Sequence, residues 1–354
     1  MTHTFYICNM HKAPQLVQKA KAVNSDLVDS FGREHTYLRI SLIEKCNLRC
    51  TYCMPAEGIQ LSPKNDIMTA DEVIAIASEF VRMGVTKIRL TGGEPLLRKD
   101  AADIIKRLSA MPVELAITTN GVLLDRYFEL FQEVGLNHIN ISLDTLQEDR
   151  FKALTRRNDF LKVKENIFQC FDWGIQPRIN VVLLKGQNED EIVDFVRLTK
   201  NYPLTVRFIE FMPFDGNQWN SDKLVSLSEV LQKVSVEFGR ENLHRIKDAA
   251  HDTSKNYKIE GFKGQFSVIS TVTNPFCDSC NRIRLTANGK IKNCLFSESE
   301  SDLLSAFRSG KKIGPEVQKA LEAKKFKRGG METLEEFSNP SRNQHNRSMI
   351  LIGG

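Results

Sequence analysis

The sequence predicts an α/β fold, an incomplete six-stranded (β/α)6 barrel of the TIM type followed by a C-terminal, cluster-binding α+β extension. Three observations support this prediction. Six β-branched runs alternate with amphipathic stretches from Tyr37 to Pro213, glycines follow several of the helical stretches, and polar or sulfur-bearing residues follow the strands. Because the carboxyl ends of barrel strands gather around one site, residues spread over about 170 positions would converge there.

The predicted strands are short runs rich in isoleucine, leucine, valine and threonine. In chain order they are YLRISLI, KIRLTGG, ELAITTNG, HINISLD, RINVVLL and TVRFIEFM. Between them lie stretches such as ADEVIAIASEFVRMG and NEDEIVDFVRLTKN, whose apolar residues recur at helical spacing. Gly84, Gly135 and Gly174 each follow a helical stretch, at the position where glycine commonly ends a helix.

The pattern changes after Pro213. The run FSVIST predicts a strand, and IRLTANGKIKNCLF predicts a hairpin turned at Asn288-Gly289. Residues 302–325 predict one or two helices, and a polar loop then leads to the apolar end MILIGG. We therefore divide the chain into an N-terminal extension of residues 1–28, expected to be disordered, a barrel of residues 29–213 and a C-terminal region of residues 214–354.

Composition excludes some classes of function. The chain has 354 residues, is 41% hydrophobic and carries a formal net charge of +5, which is too weakly basic to predict nucleic-acid binding. No apolar run approaches the roughly 18 residues of a membrane span, and the N-terminus has no apolar signal-peptide core. These features predict a cytoplasmic protein that does not bind membranes or nucleic acid.

Six of the eight cysteines form two tight groups of three. The first triad is Cys46, Cys50 and Cys53, and the second is Cys277, Cys280 and Cys294. Such grouping in a reducing compartment predicts metal sites rather than disulfides. A structural zinc ion takes four protein ligands, whereas three thiolates on a [4Fe–4S] cluster leave one iron open to a small molecule. Spacing alone leaves zinc as an alternative at each triad, but two incomplete triads in one chain favour two clusters.

Six arginines fall on predicted strands. They are Arg39, Arg89, Arg178 and Arg207 in the barrel, and Arg282 and Arg284 beside the second triad. Charged residues in barrel strands are unusual unless they face the lumen or a ligand, and internal ion pairs would explain only one or two of them. Guanidinium groups bind phosphate oxygens bidentately. Because the chain has no G-x-x-x-x-G-K-[ST] loop, these arginines are the expected phosphate ligands.

These motifs together resemble the radical S-adenosylmethionine enzymes and, among them, the GTP 3′,8-cyclase family of molybdenum cofactor biosynthesis. Beside the two triads, RLTGGEPLLR, TTNG, SLD, RFIEFMP, CNRIRLT and the terminal IGG occur in family order from about Asp29 onward. The resemblance implies that the first cluster binds S-adenosylmethionine and yields a 5′-deoxyadenosyl radical. That radical abstracts the 3′ hydrogen of GTP, and attack of C3′ on C8 leads to (8S)-3′,8-cyclo-7,8-dihydroguanosine 5′-triphosphate.

The resemblance also assigns roles to single residues. It assigns S-adenosylmethionine to Tyr52, Gly93, Ser142, Asn180 and Met212. It assigns GTP to Arg39, Arg89, Thr118, Arg178, Arg207, Arg282 and Arg284, although relatives often carry lysine at the position of Arg178. The second cluster would meet the guanine, and Gly353 and Gly354 would enter the active site and help to orient the reaction.

The partners implied by the family are a flavodoxin- or ferredoxin-like electron donor, a downstream cyclic pyranopterin monophosphate synthase and a second copy of the chain in a homodimer. Two other functions stay open at this point. One is a peptide-modifying radical S-adenosylmethionine enzyme with an auxiliary cluster, and the other is a zinc-binding module without enzymatic activity.

Overall fold

The computed structural model describes residues 26–55, 57–339 and 347–353. Its strands, in chain order, are β1 Tyr37–Ser41, β2 Lys87–Thr91, β3 Glu114–Thr119, β4 His138–Ser142, β5 Arg178–Leu183, β6 Thr205–Glu210, β7 Leu243–Ile246, β8 Lys255–Ile259, β9 Gln265–Ile269, β10 Arg282–Leu285, β11 Lys290–Lys292 and β12 Ser301–Asp302. Its helices are α1 Ala70–Arg82, α2 Ala101–Ser109, α3 Phe128–Glu133, α4 Glu148–Thr155, α5 Phe160–Asp172, α6 Ile192–Asn201, α7 Leu227–Phe238, α8 Leu303–Arg308, α9 Gly314–Glu322, α10 Leu334–Ser338 and α11 Met349–Ile352.

The six predicted barrel strands are confirmed. They are β1 to β6, and they lie side by side in chain order with parallel pairing throughout. Helices connect them, as parallel strands require a crossover. The predicted α/β class with a barrel-type parallel sheet is therefore confirmed.

The C-terminal region adds strands to both edges of this sheet. Strand β9 pairs in parallel with β6, and β10 pairs in parallel with β1, so eight neighbouring strands are parallel. Strands β8 and β7 then continue one edge in antiparallel fashion, while β11 and β12 continue the other. The predicted hairpin at Asn288-Gly289 is present, since β10 and β11 pair on either side of it. The α+β region is thus built into the barrel sheet rather than stacked beside it.

The helices cover the sheet with their apolar faces. Helix α1 shows the pattern clearly: Thr69 and Glu72 form a capping box at its start, and Val73, Ile76 and Phe80 are buried. Gly84, which follows α1, has a φ of 114°, as its place after a helix predicts. No helix in the described part of the chain is both long enough and apolar enough to cross a bilayer.

The predicted N-terminal extension lies outside the described residues except for residues 26–28. Those three residues lie against the barrel: the Asp26 N–H donates to the Met83 carbonyl at 3.1 Å, and Leu27 is fully buried. The predicted site residue Gly354 also lies outside the described residues.

Candidate active site

One cavity of about 880 Å³ is lined by residues from β1 to β6 and from the C-terminal region. This volume is near the upper end of the range for small-molecule sites, about 300–1,000 Å³. The predicted site residues that line it are Arg39, Cys46, Cys50, Tyr52, Cys53, Arg89, Gly93, Thr118, Ser142, Arg178, Asn180, Arg207, Met212, Cys277, Cys280, Arg282, Arg284 and Cys294. Gly353 does not line the cavity itself, but its carbonyl accepts a hydrogen bond from Arg284, which does.

The loop that carries the first triad packs on the glycines of GGEP. The Gly93 N–H donates to the Ile43 carbonyl at 2.7 Å, and the Glu94 N–H donates to the Lys45 carbonyl at 2.9 Å. A Cβ atom on Gly93 would lie 2.3 Å from the Lys45 oxygen. The family resemblance assigned Gly93 to S-adenosylmethionine. The structure shows a further reason for this glycine, because the cysteine loop itself needs that space.

Glu94 links GGEP to the TTNG motif and, through it, to the first triad. Its fully buried carboxylate accepts hydrogen bonds from the Thr119 hydroxyl at 2.8 Å and from the Asn120 N–H at 2.7 Å. The Asn120 side chain in turn donates to the Cys46 sulfur at 3.6 Å. Burial raises the pKa of Glu94 to about 7. This chain of contacts fixes the loop of Cys46 relative to β2 and β3.

The first triad lies in a half-buried, slightly acidic environment. Burial raises the pKa of Cys46 to about 11 and that of Cys53 to about 12, and nearby carboxylates act in the same direction. The pKa of Cys50 is raised well above its usual value, again mainly by burial. A metal centre would reverse this preference, because coordination deprotonates thiols.

Tyr52, between the last two cysteines of the first triad, is oriented by Asp144. The tyrosine hydroxyl donates to one carboxylate oxygen of Asp144 at 2.7 Å, and the Val182 N–H donates to the other at 2.8 Å. Burial raises the pKa of Asp144 to about 6, against these hydrogen bonds. On strand β5, Asn180 has a buried side-chain oxygen without a hydrogen-bond partner among the described residues.

Three arginines stand side by side on adjacent parallel strands. Arg284 on β10 is in register with Arg39 on β1, which is in register with Arg89 on β2. Neighbouring strands lie about 4.8 Å apart, and like charges placed directly opposite each other destabilise a sheet. A row of this kind is therefore expected only where an anion balances it.

The cavity supplies little negative charge to these side chains. Within the described residues, no carboxylate lies at ion-pair distance from Arg89, Arg178, Arg207, Arg282 or Arg284. Burial, reinforced by the neighbouring arginines, lowers the pKa of Arg207 to about 9. Burial likewise lowers the pKa of Arg39 to about 10. Such a group of partly desolvated cations favours the binding of an anionic ligand.

Arg89 differs from the others because the protein uses most of its donors. Its Nε donates to the Tyr37 hydroxyl at 2.6 Å, and its Nη1 donates to the Ile117 carbonyl at 2.8 Å and to the Thr118 hydroxyl at 3.4 Å. It is 3% exposed. Its contacts with the described residues leave only Nη2 for a ligand, so Arg89 also supports the sheet.

The second triad has a more basic environment than the first. Burial alone would raise the pKa of Cys280, but Arg282 and Lys324 outweigh it and lower the pKa to about 6. Burial raises the pKa of Cys277. No three histidine, cysteine or acidic side chains in the described part of the chain converge on a single metal ion.

The C-terminal tail docks against the first triad. The Ser348 hydroxyl donates to the Cys53 carbonyl at 2.8 Å, and Ile350 and Ile352 are buried. Gly353 follows with a φ of 78°, and its carbonyl accepts from Arg284 Nη1 at 2.5 Å. The tail thus connects the first triad to the arginine row.

Glu94 lies in the GGEP motif and Asp144 in the SLD motif. Neither residue was given a role from the sequence, and Lys324 was not singled out. Glu94 and Asp144 could have been predicted from the sequence, because acidic residues directly after buried strands of a barrel are candidates for the site. Lys324 carried no such signal, because it lies in a lysine-rich stretch at the end of the predicted helical region, where lysines are usually exposed.

Comparison with known proteins agrees with this geometry. The chain matches the Radical SAM superfamily over residues 40–199 and the Molybdenum Cofactor Synthesis C family over residues 204–329. It is 45% identical over 350 residues to the mitochondrial GTP 3′,8-cyclase of Arabidopsis thaliana, covering 97% of this chain and 87% of that protein. It is 43% identical over 303 residues to the GTP 3′,8-cyclase of Listeria monocytogenes, covering 84% of this chain and 90% of that protein.

Longer relatives match as well. The chain is 45% identical over 344 residues to Molybdenum cofactor biosynthesis protein 1 of Mus musculus, covering 96% of this chain and 53% of that protein. It spans about half the length of this relative and of the Drosophila melanogaster and human proteins of the same name. Among solved structures, Streptococcus suis SuiB matches with a TM-score of 0.61 at 15% identity, covering 85% of this chain and 69% of that one. That likeness concerns the fold alone.

The chain therefore belongs to the radical S-adenosylmethionine superfamily and, within it, to the GTP 3′,8-cyclase family of molybdenum cofactor biosynthesis. Membership of the superfamily implies a [4Fe–4S] cluster and S-adenosylmethionine. The first triad fits this cluster, because three soft thiolates line a cavity together with the unpaired oxygen of Asn180.

Proposed function

We propose that this chain converts GTP to (8S)-3′,8-cyclo-7,8-dihydroguanosine 5′-triphosphate in molybdenum cofactor biosynthesis. The observation that carries the proposal is that two cysteine triads and six strand-borne arginines line one cavity. Its relatives at 43–45% identity over most of their length carry the same activity in their names. The alternatives of a peptide-modifying enzyme and of a zinc module lack such support.

The first triad would hold the cluster that supplies a 5′-deoxyadenosyl radical from S-adenosylmethionine. Cys46, Cys50 and Cys53 are the ligands in this proposal. Tyr52, held by Asp144, would contact the cofactor, and the free Asn180 oxygen would accept a hydrogen bond from it. Gly93, Ser142 and Met212 would complete the pocket by backbone and side-chain contacts. Partial burial of this region would limit the access of water to a reactive centre.

The arginines would hold the triphosphate of GTP. Their partly or fully buried, mutually repelling guanidinium groups would gain most from a ligand with several negative charges. Arg39, Arg178, Arg207, Arg282 and Arg284 would supply the main contacts, and Arg89 would add its free Nη2 beside Thr118. This placement would set the sugar between the two triads, where C3′ and C8 react.

We infer a second [4Fe–4S] cluster at Cys277, Cys280 and Cys294. A structural zinc ion takes four protein ligands, whereas this triad offers three thiols, which line the same cavity as the arginines and would leave one iron of a cube open. The charge around Cys280 also favours a thiolate that can bind iron. In this proposal the open iron of the second cluster meets the guanine base, and residues 29–213 and 214–354 act on one substrate from its two sides.

The partners of the reaction follow from its chemistry. Reductive cleavage of S-adenosylmethionine needs a one-electron donor, for which we propose a flavodoxin- or ferredoxin-like protein. The product would pass to a cyclic pyranopterin monophosphate synthase, and we expect the chain to form a homodimer. A role for the carbonyl of Gly353 and for Gly354 in orienting the reaction is part of the same proposal.

The test is anaerobic incubation of the reconstituted protein with GTP, S-adenosylmethionine and dithionite, followed by mass analysis. We expect a product isomeric with GTP together with 5′-deoxyadenosine, and neither from the Cys46→Ala variant. Formation of 5′-deoxyadenosine with no isomer of GTP would rule out the cyclase. Zinc in place of iron and sulfide would rule out the radical mechanism as a whole.

A further inference from the structure

The segment from Lys324 to Gly330 wraps around the second triad. Arg33 Nη1 donates to the Cys277 carbonyl and to the Phe326 carbonyl of this segment, each at 2.8 Å, and Arg328 and Gly329 both have positive φ angles. A Cβ atom on Gly329 would lie 2.7 Å from the backbone of Phe296, just beyond Cys294. This segment follows the last cysteine of the chain and packs closely against the triad. Its close packing indicates that it has a role at the triad and is not simply a solvent-exposed loop.

Lys324 is the side chain of this segment that reaches the cysteines. Its Nζ donates to the Asn293 carbonyl at 2.6 Å, to the Arg282 carbonyl at 3.2 Å and to the Cys280 sulfur at 3.6 Å. An ammonium group has three N–H donors, so the sulfur completes its set of partners. The two carbonyls belong to the two chain segments that carry Cys280 and Cys294, which Lys324 therefore joins.

The charge of Lys324 has no carboxylate partner among the residues that the structure describes. The side chain is 4% exposed, and no aspartate or glutamate in the described ranges lies at ion-pair distance from its Nζ. A buried ammonium group is costly unless an anion balances it. The group in contact with its Nζ that can carry negative charge is the Cys280 sulfur, at 3.6 Å.

We propose that Lys324 is a positioning residue of the second cluster, which holds Cys280 in place and favours the reduced, more negative state of the cluster. The inference rests on the proposed second cluster. A cation that donates to a coordinating sulfur stabilises added negative charge, and hydrogen bonds to the sulfurs are among the features that set cluster potentials. Removal of this charge therefore lowers the reduction potential.

The experiment isolates the second cluster in the full-length chain. Cys46, Cys50 and Cys53 are replaced by alanine, so that only the second triad binds iron, and the protein is reconstituted and titrated with dithionite under electron paramagnetic resonance. The cluster takes up one electron and no bond changes. In this background Lys324→Met should shift the reduction equilibrium at least tenfold toward the oxidised cluster, about 59 mV for one electron.

Two matched variants separate charge from packing. Lys324→Arg keeps the charge and should stay within about twofold of the parent equilibrium, and Lys325→Met removes the charge of the exposed neighbour and should change nothing. If Lys324→Met loses iron while Lys324→Arg retains it, the role of the charge is supported. Equal loss of iron or an equal shift in both variants would overturn the inference, as would an unchanged potential in Lys324→Met. A background variant without iron would overturn the second cluster along with it.

Discussion

Replacing Gly353 with alanine tests whether the tail positions the reaction. The new Cβ atom would lie 2.5 Å from the Thr91 hydroxyl and 3.0 Å from the Ser41 Cβ. Both neighbours are buried at the ends of central strands and are not free to move. The tail would have to shift by about 1 Å to restore normal van der Waals separations. The φ of 78° at this position also costs a residue with a side chain about 1–2 kcal/mol.

A shift of this size would pull the Gly353 carbonyl away from Arg284, which it contacts at 2.5 Å. A misplacement of about 1 Å near the reacting atoms can cost on the order of 10²-fold in rate. We therefore expect the ratio of cyclised product to 5′-deoxyadenosine to fall by about this factor, while iron content and affinity for S-adenosylmethionine stay unchanged.

The assay is anaerobic turnover with both products quantified by liquid chromatography and mass spectrometry. Gly310→Ala is the matched control, because Gly310 has a similar φ of 73° and no heavy atom within 4 Å of the position that a new Cβ atom would take. Gly310→Ala therefore carries the same penalty for a positive φ angle but creates no steric contact. An unchanged rate and product ratio in Gly353→Ala would show that the tail does not position the reaction.

Three further predictions concern the substrate, the clusters and stability. Arg178→Gln removes a charge-assisted contact of roughly 1.5–3 kcal/mol, so calorimetry should find GTP binding about 10- to 150-fold weaker. The control variant Arg82→Gln, at an exposed position, should bind GTP with normal affinity. Normal GTP affinity in Arg178→Gln would show that the role of Arg178 is structural. Iron analysis should find about eight irons per chain for two cubes and roughly half in either Cys46→Ala or Cys294→Ala, with 5′-deoxyadenosine formation lost only in the former. Burial and the nearby Lys324 lower the pKa of His35 from 6.5 to about 3. Between these two pH values His35 binds a proton in the unfolded chain but not in the folded chain. The free energy of unfolding should therefore fall by up to about 1.4 kcal/mol for each unit by which the pH drops in this range. His35→Gln should flatten this pH dependence in thermal unfolding, and an equal slope in both proteins would contradict the assignment.

Local sequence patterns were sufficient for the six barrel strands and for the hairpin at Asn288-Gly289. Alternating β-branched runs and turn residues act within a few positions, so their signal survives in the bare sequence. The same patterns did not predict β7 and β8, whose residues are mostly polar and partly exposed. They also could not predict that β9 and β10 extend the parallel sheet, because strand pairing between distant segments leaves no local trace.

The candidate site divides in a similar way. Spacing and residue type singled out the cysteines and the arginines, since soft thiolates and guanidinium groups have few alternative uses in a barrel. The supporting residues were hidden. Glu94, Asp144 and Lys324 act through partners that lie far away in the chain, on Asn120, Tyr52 and Cys280.

The sequence by itself determined the chemistry that this chain can offer: two incomplete thiolate triads, a set of cations suited to phosphate and a parallel α/β core. Only the tertiary structure decided where these groups meet. The pairing of β10 with β1 brings Arg284 beside Arg39 from nearly the other end of the chain, and the segment after α9 delivers Lys324 to Cys280. The physical reason is that residue type sets what a group can bind, whereas burial and neighbouring charge, which set how strongly it does so, arise only when distant segments pack together.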